Sequence, residues 1–242
     1  MYIFLATSNT NKRIEISNIF SLYDLKNIKI VSFSDFIKPF EIIENGETFA
    51  QNAQIKAKAI YEALHNFFKI TQGRDKNPIF SNKDLLVLSE DSGLCIEALG
   101  NAPSVYSARF KDISLNGDDT DSWIQYKNTL PNALDTDSMN IERVIYELQM
   151  RGLQHSNAAF VANMCLFGKI KGEQNILCEH FEGICKGRVI TQKLGNKGFG
   201  YDPIFIPEGY TQTLAQITNK DTLSHRKKAL AQCVEFLRIK VL

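Results

Sequence analysis

Long apolar runs are missing from this 242-residue chain. No window approaches the roughly 18 apolar residues that span a bilayer. The most apolar stretch, Ala158 to Phe167, is short and contains Asn163, so it reads as a buried strand. The N-terminal MYIFLATSNTNKR lacks the basic leader, apolar segment and small-residue cleavage site of a signal peptide, and a soluble cytoplasmic protein is expected. Cysteine is sparse: five residues, an odd number, with no CxxC pair. That pattern suits reduced, mostly buried thiols and argues against a disulfide scaffold or a zinc site. The histidines, His65, His155, His180 and His225, are scattered, so metal chemistry beyond Mg²⁺ looks poor. A surplus of one charge is also missing, with 28 Lys+Arg against 27 Asp+Glu. Proteins that coat a nucleic acid polymer usually carry a large basic excess, so neither a nucleic acid polymer nor a membrane is expected as partner. GxxxxGK[ST] is absent, which disfavours a P-loop kinase or ATPase, and no internal repeat or heptad array occurs.

What is present is a globular composition, 44% hydrophobic and 23% charged, over a length suited to one large domain or two small lobes sharing a core. Tyr2 to Ala6 suits a strand buried on both faces. Thr7 to Asn11 can cap the helix whose apolar positions are Ile16, Ile19, Phe20 and Tyr23. Ile28, Ile30 and Phe33 alternate as in a second strand. A helix is expected from Thr48 to Phe68, then a polar excursion over 69–84 and a buried strand at 85–88 running into Ser89-Glu-Asp-Ser-Gly93. Residues 111–138 read as mostly loop, with a short helix around Trp123, and Asn140 can cap a helix through Leu148. Ala158 to Phe167 and Asn175 to Ile190 suggest neighbouring antiparallel strands, and Gly195 to Gly209 mostly loop. Ser224 then caps a closing helix.

Four segments carry polar groups suited to chemistry. Thr7-Ser-Asn-Thr-Asn-Lys12, between strand and helix, can grip phosphate oxygens, or is simply a capped helix with a solvated lysine. Glu90 and Asp91 follow a buried strand, where α/β proteins place ligands, and their hard oxygens suit Mg²⁺; a solvated acidic turn is the plainer alternative. Glu41 and Glu44 could add a ligand or lie in an acidic loop. Gly195 to Pro203 offers close backbone approach, a flat face at Phe199, and hydrogen-bonding groups at Tyr201 and Asp202, or else a turn with aromatics in the core. Lys220, Ser224, His225 and Arg226 gather donors at a helix start, or form a solvated basic face.

Together these segments resemble the inosine/xanthosine triphosphate pyrophosphatase family of house-cleaning enzymes. The resemblance rests on 5–12, 44–53, 89–94, 98–109, 198–205 and 224–226, which appear in the family's order. It implies an elongated mixed α/β sheet flanked by helices, with two lobes around a central nucleotide-binding cleft, in a single domain over 1–242 that usually forms a homodimer. The implied reaction is Mg²⁺-dependent conversion of ITP, dITP or XTP to the monophosphate and pyrophosphate. Asp91 would be the general base, Glu90 and Lys12 would support it, and Asp91 and Glu44 would hold the metal. Thr7, Ser8, Asn9, Thr10, Asn11 and Lys12 would cradle the triphosphate with Ser92. Phe199, Gly200, Tyr201, Asp202, Lys220, His225 and Arg226 would enclose the purine, with donors at Arg226 or His225 favouring a C6 oxygen over adenine's amine.

The chain departs from the family's usual pair of aspartates before Ser-Gly, carrying Glu90-Asp91 instead. It is also longer than compact bacterial members, with the excess placed mainly at 66–84 and 111–138. Residues 186–228 hold eight Lys/Arg and three Asp/Glu, whereas Glu41, Glu44, Glu90 and Asp91 lie in the N-terminal half. Such segregation suits a small metal-bound polyanion. A nucleotide-binding regulatory module without turnover, and a pyrophosphatase for modified pyrimidine nucleotides, are the alternatives.

Overall fold

The computed structural model describes residues 1–242 except Ser8, Asp24, Lys26, Asn27, 72–84, 116–119, Asn132, Lys171, 219–222 and Leu242. In chain order the elements are β1 (Tyr2–Leu5), α1 (Thr10–Ser21), β2 (Lys29–Ser32), α2 (Phe49–Thr71), β3 (Leu85–Ile96), α3 (Thr120–Lys127), α4 (Thr136–Met150), β4 (His155–Lys169), β5 (Leu177–Ile190), β6 (Phe205–Pro207) and α5 (His225–Val241). The described strands form one mixed sheet in the order β2-β1-β3-β4-β5-β6. β1 runs parallel to both β2 and β3, and β6 runs antiparallel to β5. The α/β class expected from the sequence therefore holds.

The chain divides into two compact units. The first comprises Met1–Asp91, Ala162–Gly183 and His225–Leu242. β1 and the Leu85–Leu88 start of β3 are apolar at every position because both of their faces are covered. On one face Ile3, Leu5, Leu86, Leu88, Met164, Leu166 and Phe181 pack with Ile16, Ile19 and Phe20 of α1 and Leu230, Cys233, Val234 and Leu237 of α5. The alternate residues Phe4, Ala6, Leu85, Val87, Cys165 and Phe167 pack on the other face against Ala53, Ala57, Ile60, Leu64 and Phe68 of α2. These α2 positions recur every three or four residues and form its buried side.

The second unit comprises Ser92–Val161 and Ile184–Ser224. Its core joins Leu94 and Ile96 of β3, Val144 and Leu148 of α4, Phe160, Val189, Tyr201 and Phe205, and the Phe160 and Phe205 rings lie 4.7 Å apart. α4 also buries charge. The Arg143 guanidinium lies 4.7 Å from the Trp123 ring centroid and 2.7 Å from Glu147 Oε1. Asn140 accepts from Lys111 N at 2.9 Å and donates to Ala108 O at 3.1 Å.

Three local readings change. β3 does not end at Leu88 but continues through Ser89-Glu-Asp-Ser-Gly to Ile96. α4 begins at Thr136, capped by Asp135 Oδ1 accepting from Ser138 N at 2.8 Å; Asn140 is therefore inside the helix. Its first three residues, Thr136, Asp137 and Ser138, are polar, so apolar periodicity could not show where it begins. Within the expected loop 195–209, Phe205–Pro207 forms β6 against β5. Of the two supposed insertions, 72–84 lies outside the described residues. Residues 111–138 contain α3, with Trp123 at its centre, and the start of α4.

Gly183 of β5 seats the start of α5, since a Cβ there would stand 2.0 Å from His225 O and 2.5 Å from Ala229 N. Neither backbone atom can yield without moving the helix. Gly183→Ala is therefore expected to cost about 1–3 kcal/mol, read as a fall in Tm of roughly 2–4 °C per kcal/mol. An unchanged Tm would show that α5 is not held this closely.

Candidate active site

The first unit gathers the acidic and basic residues of the N-terminal motifs. Thr7 Oγ1 accepts from Asn9 N at 3.2 Å, and Asn9 Oδ1 accepts from Lys12 N at 3.1 Å. These bonds cap α1, whose first turn carries no acidic residue to offset its positive dipole end. Thr10 and Asn11 are exposed on that turn. Lys12 reaches inward, with Nζ 2.7 Å from Glu90 Oε2.

Glu90 and Asp91 lie within β3, just past the level at which β1 ends, because Leu5 pairs with Leu88. β3 thus runs on beyond its parallel neighbour and carries both carboxylates outward from the end of β1. Glu90 is only 2% exposed. Its other oxygen lies 3.1 Å from Arg226 Nε, and Arg226 Nη1 lies 3.0 Å from Glu15 Oε2. Burial opposes the Arg226 charge, but Glu90 and Glu15 outweigh it and hold its pKa above the ordinary value. Arg226, expected at the purine, is thus tied to two carboxylates at the start of α5, beside the buried His225.

Asp91 differs from its neighbour. It is buried at 9% exposure, and its Oδ2 meets no hydrogen-bond donor among the described residues. Burial pushes its carboxyl upward; Lys56 and Lys12 pull it down, while Glu90 and Glu44 push it further up. A carboxylate raised in this way is a stronger proton acceptor. Glu44 stands on the loop before α2, its Oε2 2.8 Å from Lys56 Nζ. That loop is pinned: Asn52 Oδ1 accepts from Gly46 N at 2.8 Å, and a Cβ on Gly46 would stand 2.8 Å from the same oxygen. Thr48 Oγ1 caps Gln51 N at 3.2 Å, while Gln51 Oε1 accepts from Glu47 N at 2.7 Å. A buried carboxylate oxygen without a donor, near a second carboxylate, is a donor set that fits a hard divalent cation.

Two contributors escaped sequence reading. Lys56 pairs with Glu44 and donates to Glu90 O at 3.1 Å, and Glu15 braces Arg226. Their signal was helical spacing: Lys56 stands four residues after Asn52, and Glu15 three after Lys12.

The second unit holds Ser92 and the glycine-rich segment. Tyr201, expected to offer a hydrogen bond to a base, is 3% exposed, and its hydroxyl donates to Ser107 O at 2.7 Å. Asp202 is buried, and its Oδ2 accepts from Phe199 N at 3.1 Å. Gly200 N donates to Asp137 Oδ2 at 2.8 Å, a contact from a residue in the stretch that reads in the sequence as mostly loop. Tyr201 and Asp202 therefore shape this loop, while Phe199 and Gly200 stay half-exposed on it. The 98–109 motif supports the same corner, with Ser107 Oγ accepting from Leu94 N at 2.9 Å. Ser8 and Lys220, expected at the phosphates and the base, lie outside the described residues.

A mixed α/β protein with a capped helix start, a buried carboxylate held by two cations and a donor-poor aspartate is equipped to bind anions and a hard metal ion. Comparison with known proteins narrows this class. The Ham1 family model matches residues 3–236, and the chain belongs to that family. It is 36% identical over 241 residues to the dITP/XTP pyrophosphatase of Campylobacter jejuni, covering 99% of this chain and 98% of that one. It is also 36% identical to the dITP/XTP pyrophosphatase of Helicobacter hepaticus, covering 98% of each. The solved Ham1 protein of Staphylococcus aureus superposes with a TM-score of 0.70 at 26% identity, over 99% of this chain and 100% of that one.

Replacing Tyr201 by Phe leaves the buried Ser107 carbonyl without its donor, which is expected to lower unfolding stability by about 1–3 kcal/mol. Urea denaturation reads this directly, and an unchanged midpoint would show that the bond does not hold the loop.

Proposed function

We propose that the chain is a Mg²⁺-dependent nucleoside triphosphate pyrophosphohydrolase of the cytoplasm, acting as a homodimer in a single domain on ITP, dITP or XTP. It releases the nucleoside monophosphate and pyrophosphate, clearing non-standard purine nucleotides. The observation that carries the mechanism is Asp91, buried with an oxygen that no donor among the described residues satisfies. The names of the relatives, which cover the chain almost end to end, support the substrate class.

In this reading Asp91 takes a proton from the water that attacks the α-phosphorus, and pyrophosphate leaves. Glu44 and Asp91 hold Mg²⁺, which supplies neutralisation of charge on the phosphate oxygens when bound. No described helix is long and apolar enough to cross a membrane. The amides and side chains of Thr7 to Lys12, with Ser92, receive the triphosphate. Lys12 is oriented by Glu90, so its ammonium stays extended rather than sampling solvent. Phe199 and Gly200 receive the purine face, while Tyr201 and Asp202 hold that loop in shape. Donors among Lys220, His225 and Arg226 favour the C6 oxygen of hypoxanthine or xanthine over the amine of adenine, which would leave a buried group unpaired.

A pyrophosphate-release assay with Mg²⁺ tests the substrate class. dITP and XTP should turn over well ahead of dATP, dGTP and dUTP; equal rates on all five, or release from none, would overturn it. For the base, Asp91→Asn should still bind dITP but lose about 10²–10⁴ in turnover. Near-normal turnover would remove Asp91 from that role.

A further inference from the structure

The first unit contains a second cluster of ligating groups, made of different atoms from the carboxylates. Cys165 on β4 and Cys178 and His180 on β5 present two thiols and an imidazole nitrogen, all within 4.8 Å of one another. The strands explain the convergence. Side chains two residues apart on a strand share a face. Cys165 belongs to the face packed on α2, and Asn163, two residues earlier, shares it. Phe181 packs on the opposite face, which puts Cys178 and His180 on the α2 face too. β4 and β5 are neighbours in the sheet, so the two pairs meet.

The ring orientation also suits ligation. Asn163 Oδ1 lies 2.8 Å from His180 Nδ1. An amide oxygen only accepts, so the ring proton sits on Nδ1 and the lone pair on Nε2. Nε2 faces Cys178 Sγ at 3.9 Å. Metal-binding histidines commonly have the other nitrogen anchored in this way. A tetrahedral zinc ion, with Zn–S of about 2.3 Å and Zn–N of about 2.0 Å, sets ligand separations of roughly 3.5–3.8 Å. The cluster needs only side-chain adjustment to reach them. Cys165 is buried, whereas Cys178 is exposed, so the group has an anchored inner ligand and an open approach.

We propose that Cys165, Cys178 and His180 form a binding site for a thiophilic divalent cation of the zinc type, with water as the fourth ligand, clipping β4 to β5. Binding exchanges two thiol protons, which pass to solvent, for two metal–sulfur bonds, and His180 contributes its Nε2 lone pair. No electron is transferred. Two thiolates and an imidazole discriminate against Mg²⁺, which prefers oxygen.

The test is a titration of the chelator-washed, reduced full-length protein with Cd²⁺, a spectroscopic surrogate for Zn²⁺, in excess Mg²⁺. A thiolate-to-cadmium ultraviolet charge-transfer band should rise, saturate at one equivalent, and vanish on adding Zn²⁺ that elemental analysis then finds bound. Cys178→Ser, at an exposed position, should abolish the band while leaving the circular dichroism unchanged. His180→Ala should weaken binding at least about tenfold, and Asn163→Ala by about 10–100-fold, as for loss of an outer partner. Absence of the band, its persistence in Cys178→Ser, or its displacement by Mg²⁺ would each overturn the proposal.

Discussion

Burial of the Glu90 carboxylate is the constraint on which the rest of the first unit depends. A carboxylate at 2% exposure is tolerable only if charge and hydrogen bonds replace its lost hydration. Lys12 from α1 and Arg226 from α5 supply them, and Glu15 in turn balances Arg226. Two helices and the central strand β3 are thereby fixed at one point. Close seating of α5 on Gly183 serves the same end, since Arg226 stands in the first turn of that helix. The glutamate side chain at position 90 has the reach to meet cations from both helices.

The two adjacent carboxylates consequently divide their work. Glu90 has both oxygens committed to cations, so it is a poor candidate for a proton acceptor and a good one for holding Lys12. Asp91 keeps an oxygen that meets no donor among the described residues and a carboxyl pushed upward by burial, the state expected of a base or metal ligand. A similar division runs through the second unit, where Tyr201 and Asp202 are spent on the shape of the loop and Phe199 remains half-exposed.

Much of this was legible in the sequence because it follows from periodicity and capping. The buried stripe of α1, the extent of α2, the apolar β1 and 85–88 segments and the polar cap within Thr7 to Asn11 were all local signals. Residues whose role depends on a distant partner were not legible. Lys56 and Glu15 look like ordinary helix-surface charges until β3 and α5 are placed beside them. Arg226 reads as a surface donor in the sequence, where nothing local reveals its ion pairs with Glu15 and Glu90. β3 seemed to stop where its polar residues begin, yet a strand can carry buried charge when its cations come from elsewhere. Likewise, Cys178 and His180 share a strand face by simple alternation, but only pairing with β4 brings Cys165 to them.

The most direct test of the account is a double-mutant cycle on the Glu90–Arg226 pair, with Glu90→Gln, Arg226→Met and the double variant compared by urea denaturation. Each single change leaves a buried charge short of its partner and should cost about 3–5 kcal/mol. The double variant should lose much less than the sum of the two. Additive losses would show that the pair is not coupled, and would contradict the claim that this buried carboxylate organises the site.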